Sequence, residues 1–187
     1  MPFLYGPRVY LRAVEVEDWA KGYGWINDPE VSRFLVGGVE PYSKLREREW
    51  YKAAAEGSSD TDIHFAVVTR EDDRYIGNAG LHRINWRCRR AALGIMIGEK
   101  DCWNQGYGTE ATRLILEFAF GELGLHRVWL DVDSDNRRAR RAYEKAGFKQ
   151  EGIKRDHMYY DGAFHDIVLM SILSSDTLPE GAVADES

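Results

Sequence analysis

Hydrophobic residues recur at alternate positions in short runs along most of the chain, a pattern typical of half-buried strands. The predicted strands cover residues 9–13, 64–69, 75–84, 90–97, 127–132, 149–153 and 164–173. An acidic turn at residues 71–73 separates the second strand from the third so closely that the two are expected to form a hairpin.

Between the strands, hydrophobic residues with helical spacing predict helices over residues 17–25, 29–35, 42–56, 108–122 and 136–146. Asn136 and Gly147 suit the cap and the stop of the last helix. Antiparallel strands come first, one β–α–β crossover follows, and a helix with two strands closes the chain. We therefore predict an α+β fold whose mixed sheet is mostly antiparallel, with about six to seven strands and one parallel pair.

The length of 187 residues fits one domain. We predict that it spans residues 1–173 and that the small, acidic residues 174–187 form a flexible tail. Two scattered cysteines, Cys88 and Cys102, make neither a disulfide framework nor a metal site. The chain shows neither a signal-peptide pattern nor the ~18 apolar residues of a membrane span, so a cytoplasmic protein without a membrane partner is expected.

The formal net charge of −6 narrows the choice of partners. Nucleic acid is not expected as a partner, because phosphate contacts need a basic surface. The charge is compatible with a cationic ligand such as an amine, although surface acidity commonly serves solubility alone.

The strongest chemical signal is a glycine-containing loop that opens the helix at 108–122. Gly106 and Gly108 remove side chains where the free N–H groups of a first helical turn form an anion site, suited to a pyrophosphate. A glycine-rich helix start without any ligand explains the two glycines equally well. The loop consists of Trp103, Asn104, Gln105, Gly106, Tyr107, Gly108 and Thr109.

The same glycines also fit the dinucleotide-binding pattern, with Asp131 and Asp133 at the end of the following strand. That pattern requires the glycines to follow a strand directly, whereas residues 98–105 intervene here. The chain also lacks repeated βαβ units. A nicotinamide-dependent dehydrogenase is therefore a remote alternative.

Two longer segments resemble the GCN5-related N-acetyltransferases (the GNAT family), in the branch of ribosomal-protein N-terminal alanine and spermidine acetyltransferases. They read IGEKDCWNQGYGTEA at 97–111 and DVDSDNRRARRAYEKAGF at 131–148. LRAVEVED at 11–18 and INDPEVSRFL at 26–35 add to the likeness. The resemblance implies the GNAT fold and transfer of an acetyl group from acetyl-CoA to an amine, by direct attack in a ternary complex and without a metal.

The resemblance also assigns roles to individual residues. The strand at 91–97 is expected to splay from the strand at 127–132, starting from a bulge at Gly94. The backbone of Ile95, Met96 and Ile97 would then bind the pantetheine arm and polarise the thioester carbonyl. Trp103 stands where the family pattern has Gln or Arg, so that side-chain contact is lost.

In the helix at 136–146, Asn136 would bond the pantetheine, although it also reads as a helix cap. Tyr143 would protonate the departing CoA thiolate, although its position is equally suited to core packing. Arg140 belongs to a basic run, with Arg137, Arg138 and Arg141, that either contacts the CoA phosphates or forms a solvated face.

A general base cannot be carried over from the family. His82 and Asp133 are the candidates, while Glu99 and Asp101 lie at the root of the loop. The acceptor aromatics are equally open between ligand and core roles: Trp25, Phe34, Tyr42 and Trp86. The oligomeric state is open as well, with a homodimer common among relatives. A module that binds acyl-CoA or a partner without turnover is the main alternative to the enzyme.

Overall fold

The computed structural model describes residues 1–35, 40–57 and 59–176. Eight strands form one sheet in the spatial order β1-β2-β3-β4-β5-β6-β8-β7. The strands are β1 (Pro2–Tyr5), β2 (Val9–Ala13), β3 (Ile63–Thr69), β4 (Tyr75–Asn85), β5 (Arg90–Ile97), β6 (Arg127–Asp133), β7 (Lys149–Tyr160) and β8 (Ala163–Leu173). The helices are α1 (Trp19–Ile26), α2 (Pro29–Ser32), α3 (Lys44–Glu56), α4 (Tyr107–Glu117) and α5 (Arg137–Lys145).

Neighbouring strands pair antiparallel except β5 and β6, which are parallel. Their pairing is short: it runs from Arg90 opposite Arg127 to Ala92 opposite Trp129. Beyond this point β6 stays paired with β8 and β5 with β4, while β5 and β6 separate. The predicted splay is thus present. It leaves one edge of the second half of β5 without a strand partner.

The sheet carries a hydrophobic core on each face. On one face, called the α4 face, Ala111 and Ile115 of α4 pack on the sheet together with Ala146 at the end of α5. On the other, called the α3 face, Trp25, Val31 and Tyr51 from α1, α2 and α3 form a second cluster. Because side chains alternate along a strand, Ile95 and Ile97 join the α4-face core while Met96 joins the α3-face core.

The α+β prediction with one parallel pair is confirmed, but the described residues form eight strands. Strand β1 was not predicted, because its exposed positions hold the hydrophobic residues Phe3 and Tyr5 and the sequence therefore shows no polar alternation. Strand β7 extends to Tyr160 through the polar residues 154–157, which gave no strand signal. The helix predicted to end at residue 122 changes to a π turn from Phe118, and α2 is shorter than predicted.

The bulge predicted at Gly94 is wrong. The β4–β5 register runs through Gly80 opposite Gly94 without a shift, and the irregularity lies between His82 and Asn85. Gly94 is required for a different reason: a Cβ there would lie 2.9 Å from His82 Nε2. The glycine makes room for an imidazole that crosses β5.

The boundary between domain and tail stays a prediction. Ser174 N donates to His126 O at 2.9 Å, and Asp176 pairs with Lys149. Residues 177–187 of the predicted tail lie outside the described residues. Within the described part of the chain, no helix is both long and apolar enough to cross a membrane.

Candidate active site

A cleft of about 210 Å³ lies beside the second half of β5, where its pairing with β6 has ended, and is bounded by the glycine loop and α5. Its wall includes Ile95, Ile97 and Ala139, which belong to the α4-face core, and Val31 and Met96, which belong to the α3-face core. The cleft therefore passes through the plane of the sheet. A ligand can enter along one face and meet a second molecule arriving from the other.

Most of the residues predicted from sequence are brought together in this cleft. Those that line it are Ile95, Met96, Ile97, Trp103, Asn104, Gly106, Tyr107, Gly108, Thr109, Asn136 and Tyr143. Gln105 and Arg140 are not among the lining residues. The Gln105 amide bonds to Asp101 O, while Arg140 Nη1 lies 3.4 Å from Ser134 O.

The glycine loop presents bare backbone to the cleft. Gly106 precedes α4 in a left-handed conformation with φ of 89°, which favours glycine. The helix has no side-chain cap, so the N–H groups of its first turn remain available to an anion. A Cβ at Gly108 would lie 3.6 Å from Ile97 Cγ1, on the side of the cleft wall. This cradle fits a pyrophosphate.

An ion pair that the sequence did not reveal holds the loop in place. Glu110 Oε1 accepts hydrogen bonds from Arg8 N at 2.7 Å and from Val9 N at 2.9 Å. Arg8 Nε lies 3.1 Å from Glu110 Oε2, and its Nη1 donates to Gln105 O at 2.7 Å. The turn between β1 and β2 thus clasps the start of α4. Arg8 is distant in sequence, which explains why no local motif indicated it.

Trp103 has a structural role at the position where the family pattern has Gln or Arg. Its Nε1 donates to Ile97 O at 2.7 Å, which ties the loop to the end of β5. The Arg138 guanidinium lies 3.6 Å from the Trp103 ring centroid, a cation–π contact. Burial lowers the pKa of Arg138, but an arginine remains charged.

Three cations on α5 line the cleft, namely Arg138, Arg141 and Lys145. Arg137 lies in an adjoining pocket with Arg33 and Tyr160. Two members of the predicted basic run, Arg138 and Arg141, therefore border the same cavity as the glycine loop. Val31 and Leu35 complete the wall from the α2 side; a sequence pattern could predict their helix but not its position over the cleft.

Tyr143 is buried, and burial raises the pKa of its phenol to about 12. The ring packs against Phe148, with centroids 5.8 Å apart. Its hydroxyl makes no hydrogen bond to the described residues, and the residue lines the cleft. The side chain is therefore both a core residue and a protonated donor that faces the cavity.

Asn136 caps α5, because its Oδ1 accepts a hydrogen bond from Ala139 N at 3.1 Å. The cap reading of the sequence is confirmed. Since Asn136 also lines the cleft, its amide nitrogen remains as a donor there; the pantetheine role stays a prediction.

The candidate bases occupy different environments. Asp133 is buried and accepts the Tyr160 hydroxyl at 2.9 Å and Asp135 N at 2.8 Å. Glu99 and Asp101 are both paired with Arg74. His82 lies over Gly94 on β5, beside the splay. Cys102 lines the cleft, but burial raises the pKa of its thiol, which disfavours a nucleophilic thiolate.

The four aromatic residues considered for the acceptor side lie in different environments. Phe34 lines the cleft. Trp25 is buried against Tyr75, with ring centroids 4.8 Å apart. Tyr42 stacks with Arg46, and Trp86 is half exposed and donates to Asp60 O at 3.0 Å. Of the four, therefore, Phe34 borders the cavity.

Comparison with known proteins gives the family. The model of the acetyltransferase (GNAT) domain matches residues 8–149. The chain is 32% identical over 184 residues to a Bacillus subtilis protein named Probable N-acetyltransferase YjcK, with 92% of this chain and 98% of that protein covered. It is 28% identical over 173 residues to the spermidine N(1)-acetyltransferase of Escherichia coli K12, covering 92% of this chain and 89% of that one.

A solved structure of similar shape is the Vibrio cholerae spermidine N-acetyltransferase in complex with CoA and spermine. Its TM-score is 0.80 at 27% identity, over 90% of this chain and 96% of that chain. The residues matched by the family model include the glycine loop and the strands β5 and β6. The dehydrogenase alternative has no support in a sheet whose described strands include one parallel pair. The chain belongs to the GNAT acetyltransferase family and is an N-acetyltransferase.

Proposed function

We propose that this chain moves the acetyl group of acetyl-CoA to a primary amine of a small molecule, with Tyr143 as the general acid. The carrying observation is Tyr143: it lines the cleft, its hydroxyl makes no hydrogen bond to the described residues, and burial raises the pKa of its phenol to about 12. GNAT acetyltransferases use acetyl-CoA, and the residues of this cleft suit it.

The α4 end of the cleft would hold the phosphates. The uncapped first turn of α4 and the bare backbone at Gly106 and Gly108 supply N–H donors. Arg138 and Lys145 add positive charge to the same wall. Glu110 is engaged by Arg8, so its negative charge is compensated close to the loop.

The middle of the cleft would hold the pantetheine and the thioester. The edge of β5 beyond Ala92 lacks a strand partner, so its backbone groups can bind an extended arm. An N–H group near Met96 would polarise the thioester carbonyl. Asn136 would add a side-chain donor. The acceptor nitrogen then attacks the carbonyl carbon and loses a proton, the C–S bond breaks, and Tyr143 donates its proton to the thiolate.

The acceptor would arrive from the α3 face, where Val31, Phe34 and Met96 form the wall. The adjoining pocket of about 590 Å³ contains the carboxylates of Glu30, Asp135 and Asp161, although Arg33 and Arg137 lie there too. This mixed charge does not specify a polycation. Spermidine, spermine and shorter monoamines are therefore all compared in the test, together with peptides that have free N-termini.

The test measures thiol release from acetyl-CoA against this panel, alongside thermal shifts with acetyl-CoA, CoA and NADH. We expect stabilisation by acetyl-CoA and CoA, since a ligand that binds only the folded state raises its stability, and turnover with at least one small amine. Turnover with peptides alone would indicate that the acceptor is a protein N-terminus and not a small-molecule amine. A shift with acetyl-CoA but no turnover with any acceptor would favour the non-catalytic binding module.

A further inference from the structure

A histidine on β4 reaches the splayed part of β5 from the α3 face. Gly94 and Met96 lie two residues apart on β5, so both positions are on the α3 face of the sheet. The His82 ring covers Gly94, with Nε2 2.9 Å from the position that a Cβ would take. At about 3.3 Å of strand length per residue, the imidazole lies roughly two residues from Met96 in the cleft wall.

A carboxylate fixes the other side of this ring. Asp62 Oδ1 lies 3.3 Å from His82 Nδ1. Asp62 is itself held by hydrogen bonds from the Ser59 hydroxyl at 2.6 Å, the Thr61 hydroxyl at 2.9 Å and Arg83 N at 3.2 Å. With Nδ1–H facing Asp62, the lone pair of the neutral ring is on Nε2, the atom over β5.

The surroundings keep this imidazole neutral at physiological pH. Burial lowers the pKa of His82, and the nearby Arg83 acts in the same direction, while Asp62 opposes both. The His64 ring lies 5.1 Å away, and burial and His82 together lower its pKa as well. Trp50 of α3 covers His64 from the far side, with centroids 5.3 Å apart. His82 is thus expected to be neutral, with its Nδ1 beside Asp62 and its Nε2 over β5.

We propose that His82 is the general base of the transfer reaction and that Asp62 positions it. This inference rests on the proposed function and names the base that the family resemblance does not supply. The amine nitrogen forms a bond to the thioester carbonyl carbon. His82 Nε2 then takes the proton from that nitrogen, directly or through one water. As the C–S bond breaks, the Tyr143 proton passes to the sulfur, and exchange with solvent restores both side chains.

A base of low pKa can take the proton from the amine nitrogen once that nitrogen has bonded to the carbonyl carbon. A free alkylammonium has a pKa similar to that of lysine, about 10.4, and would hardly donate to an imidazole. Once the nitrogen has bonded to the carbonyl carbon, it is far more acidic. His82 therefore acts after attack, and the amine is expected to enter unprotonated.

The experiment compares the wild type with His82→Gln, Asp62→Asn and a matched control, His64→Gln, on the best amine of the panel. His64 shares the stack, but the Nδ1 contact with Asp62 is made by His82. We expect His82→Gln to lower kcat/KM about 100-fold, at the lower end of general-base effects, with an unchanged thermal shift by acetyl-CoA. Asp62→Asn should lower kcat/KM less than His82→Gln does. The kcat/KM of His64→Gln should stay near that of the wild type.

A pH profile and a rescue separate chemistry from structure. At acidic pH the wild-type log kcat/KM should change slope as His82 titrates below its reference pKa of about 6.5, and His82→Gln should lose this change. Imidazole in the buffer should partly restore His82→Ala. Wild-type rate and profile in His82→Gln would overturn the inference and leave the proposed function intact. A wild type that binds acetyl-CoA but acetylates no acceptor would overturn both.

Discussion

Glu110 on α4 accepts hydrogen bonds from both the backbone and the side chain of Arg8, at 2.7 Å and 3.1 Å. The contact joins the first β-turn of the chain to the first turn of the helix whose N-terminus faces the cleft. The glycine loop comes directly before this helical turn, and Arg8 Nη1 donates to Gln105 O within it, beside the bonds that the Trp103 and Gln105 side chains make to Ile97 O and Asp101 O. Its shape therefore depends on an ion pair that bridges residues far apart in sequence.

Replacing Glu110 with Ala should weaken both the fold and the binding of acetyl-CoA. The loss of a largely buried acceptor leaves Val9 N and Arg8 without their partner, at a cost of about 1–3 kcal/mol. The KM for acetyl-CoA should rise more than kcat falls. Urea unfolding and steady-state kinetics measure the two effects. The exposed Glu144 on α5 provides the control, Glu144→Gln. Equal KM values for acetyl-CoA in the two variants would contradict a role of the Arg8–Glu110 contact in shaping the loop.

The two loop glycines should respond differently to alanine. Gly106→Ala forces a side chain into the left-handed region and within 2.9 Å of Arg8 Nη2, so stability should fall by about 1–2 kcal/mol. Gly108→Ala meets only ordinary contacts with Ile97 and Ile95 and should fold normally, yet its methyl group would occupy the cleft and raise the Kd for CoA. Gly121→Ala, with nothing within 4 Å, is the control. Normal CoA affinity in Gly108→Ala would argue against the cradle.

Much of the fold could be predicted because local signals and tertiary structure agree. The strand at 90–97 was visible as alternation, and the helix start, predicted at residue 108 and found at Tyr107, was visible as glycines before a periodic segment. Strand β1 was not, since Phe3 and Tyr5 are exposed in spite of being hydrophobic. The role of Gly94 was misread because the sequence shows that a side chain is absent but not which neighbour uses the space.

The residues that line the candidate cleft could be predicted where they lie within one motif. The loop and the α5 residues Asn136 and Tyr143 are of this kind. Arg8 and the His82–Asp62 pair come from other parts of the chain, and only the packed sheet brings them to the loop or to β5. Such long-range contacts leave no spacing pattern in a single sequence.

Tyr143→Phe should lower kcat about 100-fold or more while leaving the Kd of CoA close to that of the wild type, because the ring keeps its packing on Phe148 and loses only the donor. Single-turnover thiol release and calorimetric CoA titration measure the two quantities. Burial raises the pKa of Tyr143 to about 12, so its loss of the proton should not produce a falling limb in the wild-type rate between pH 8 and 10. Full kcat in Tyr143→Phe would remove Tyr143 from the mechanism.

Asp62 should make the stability of the protein depend on pH in the acid range. Burial pushes the pKa of its carboxyl upward, but the hydrogen bonds from Ser59, Thr61 and Arg83 N prevail and hold it at about 2. The unfolded-state value is about 3.9. Because the folded pKa is the lower one, the ionised carboxylate contributes stability that is complete above about pH 4 and is lost as the pH falls towards 2.

The contribution is at most about 2 kcal/mol, since one pKa unit corresponds to about 1.4 kcal/mol and the side chain is partly solvated. Urea unfolding at pH 7, 4 and 2.5 should show a smaller acid-induced loss in Asp62→Asn than in the wild type. Asp60→Asn, an exposed position in the same segment, should follow the wild type. If Asp62→Asn and the wild type lose the same stability between pH 4 and 2.5, the carboxylate is not held ionised by its three donors, and the fixed orientation of His82 loses its support.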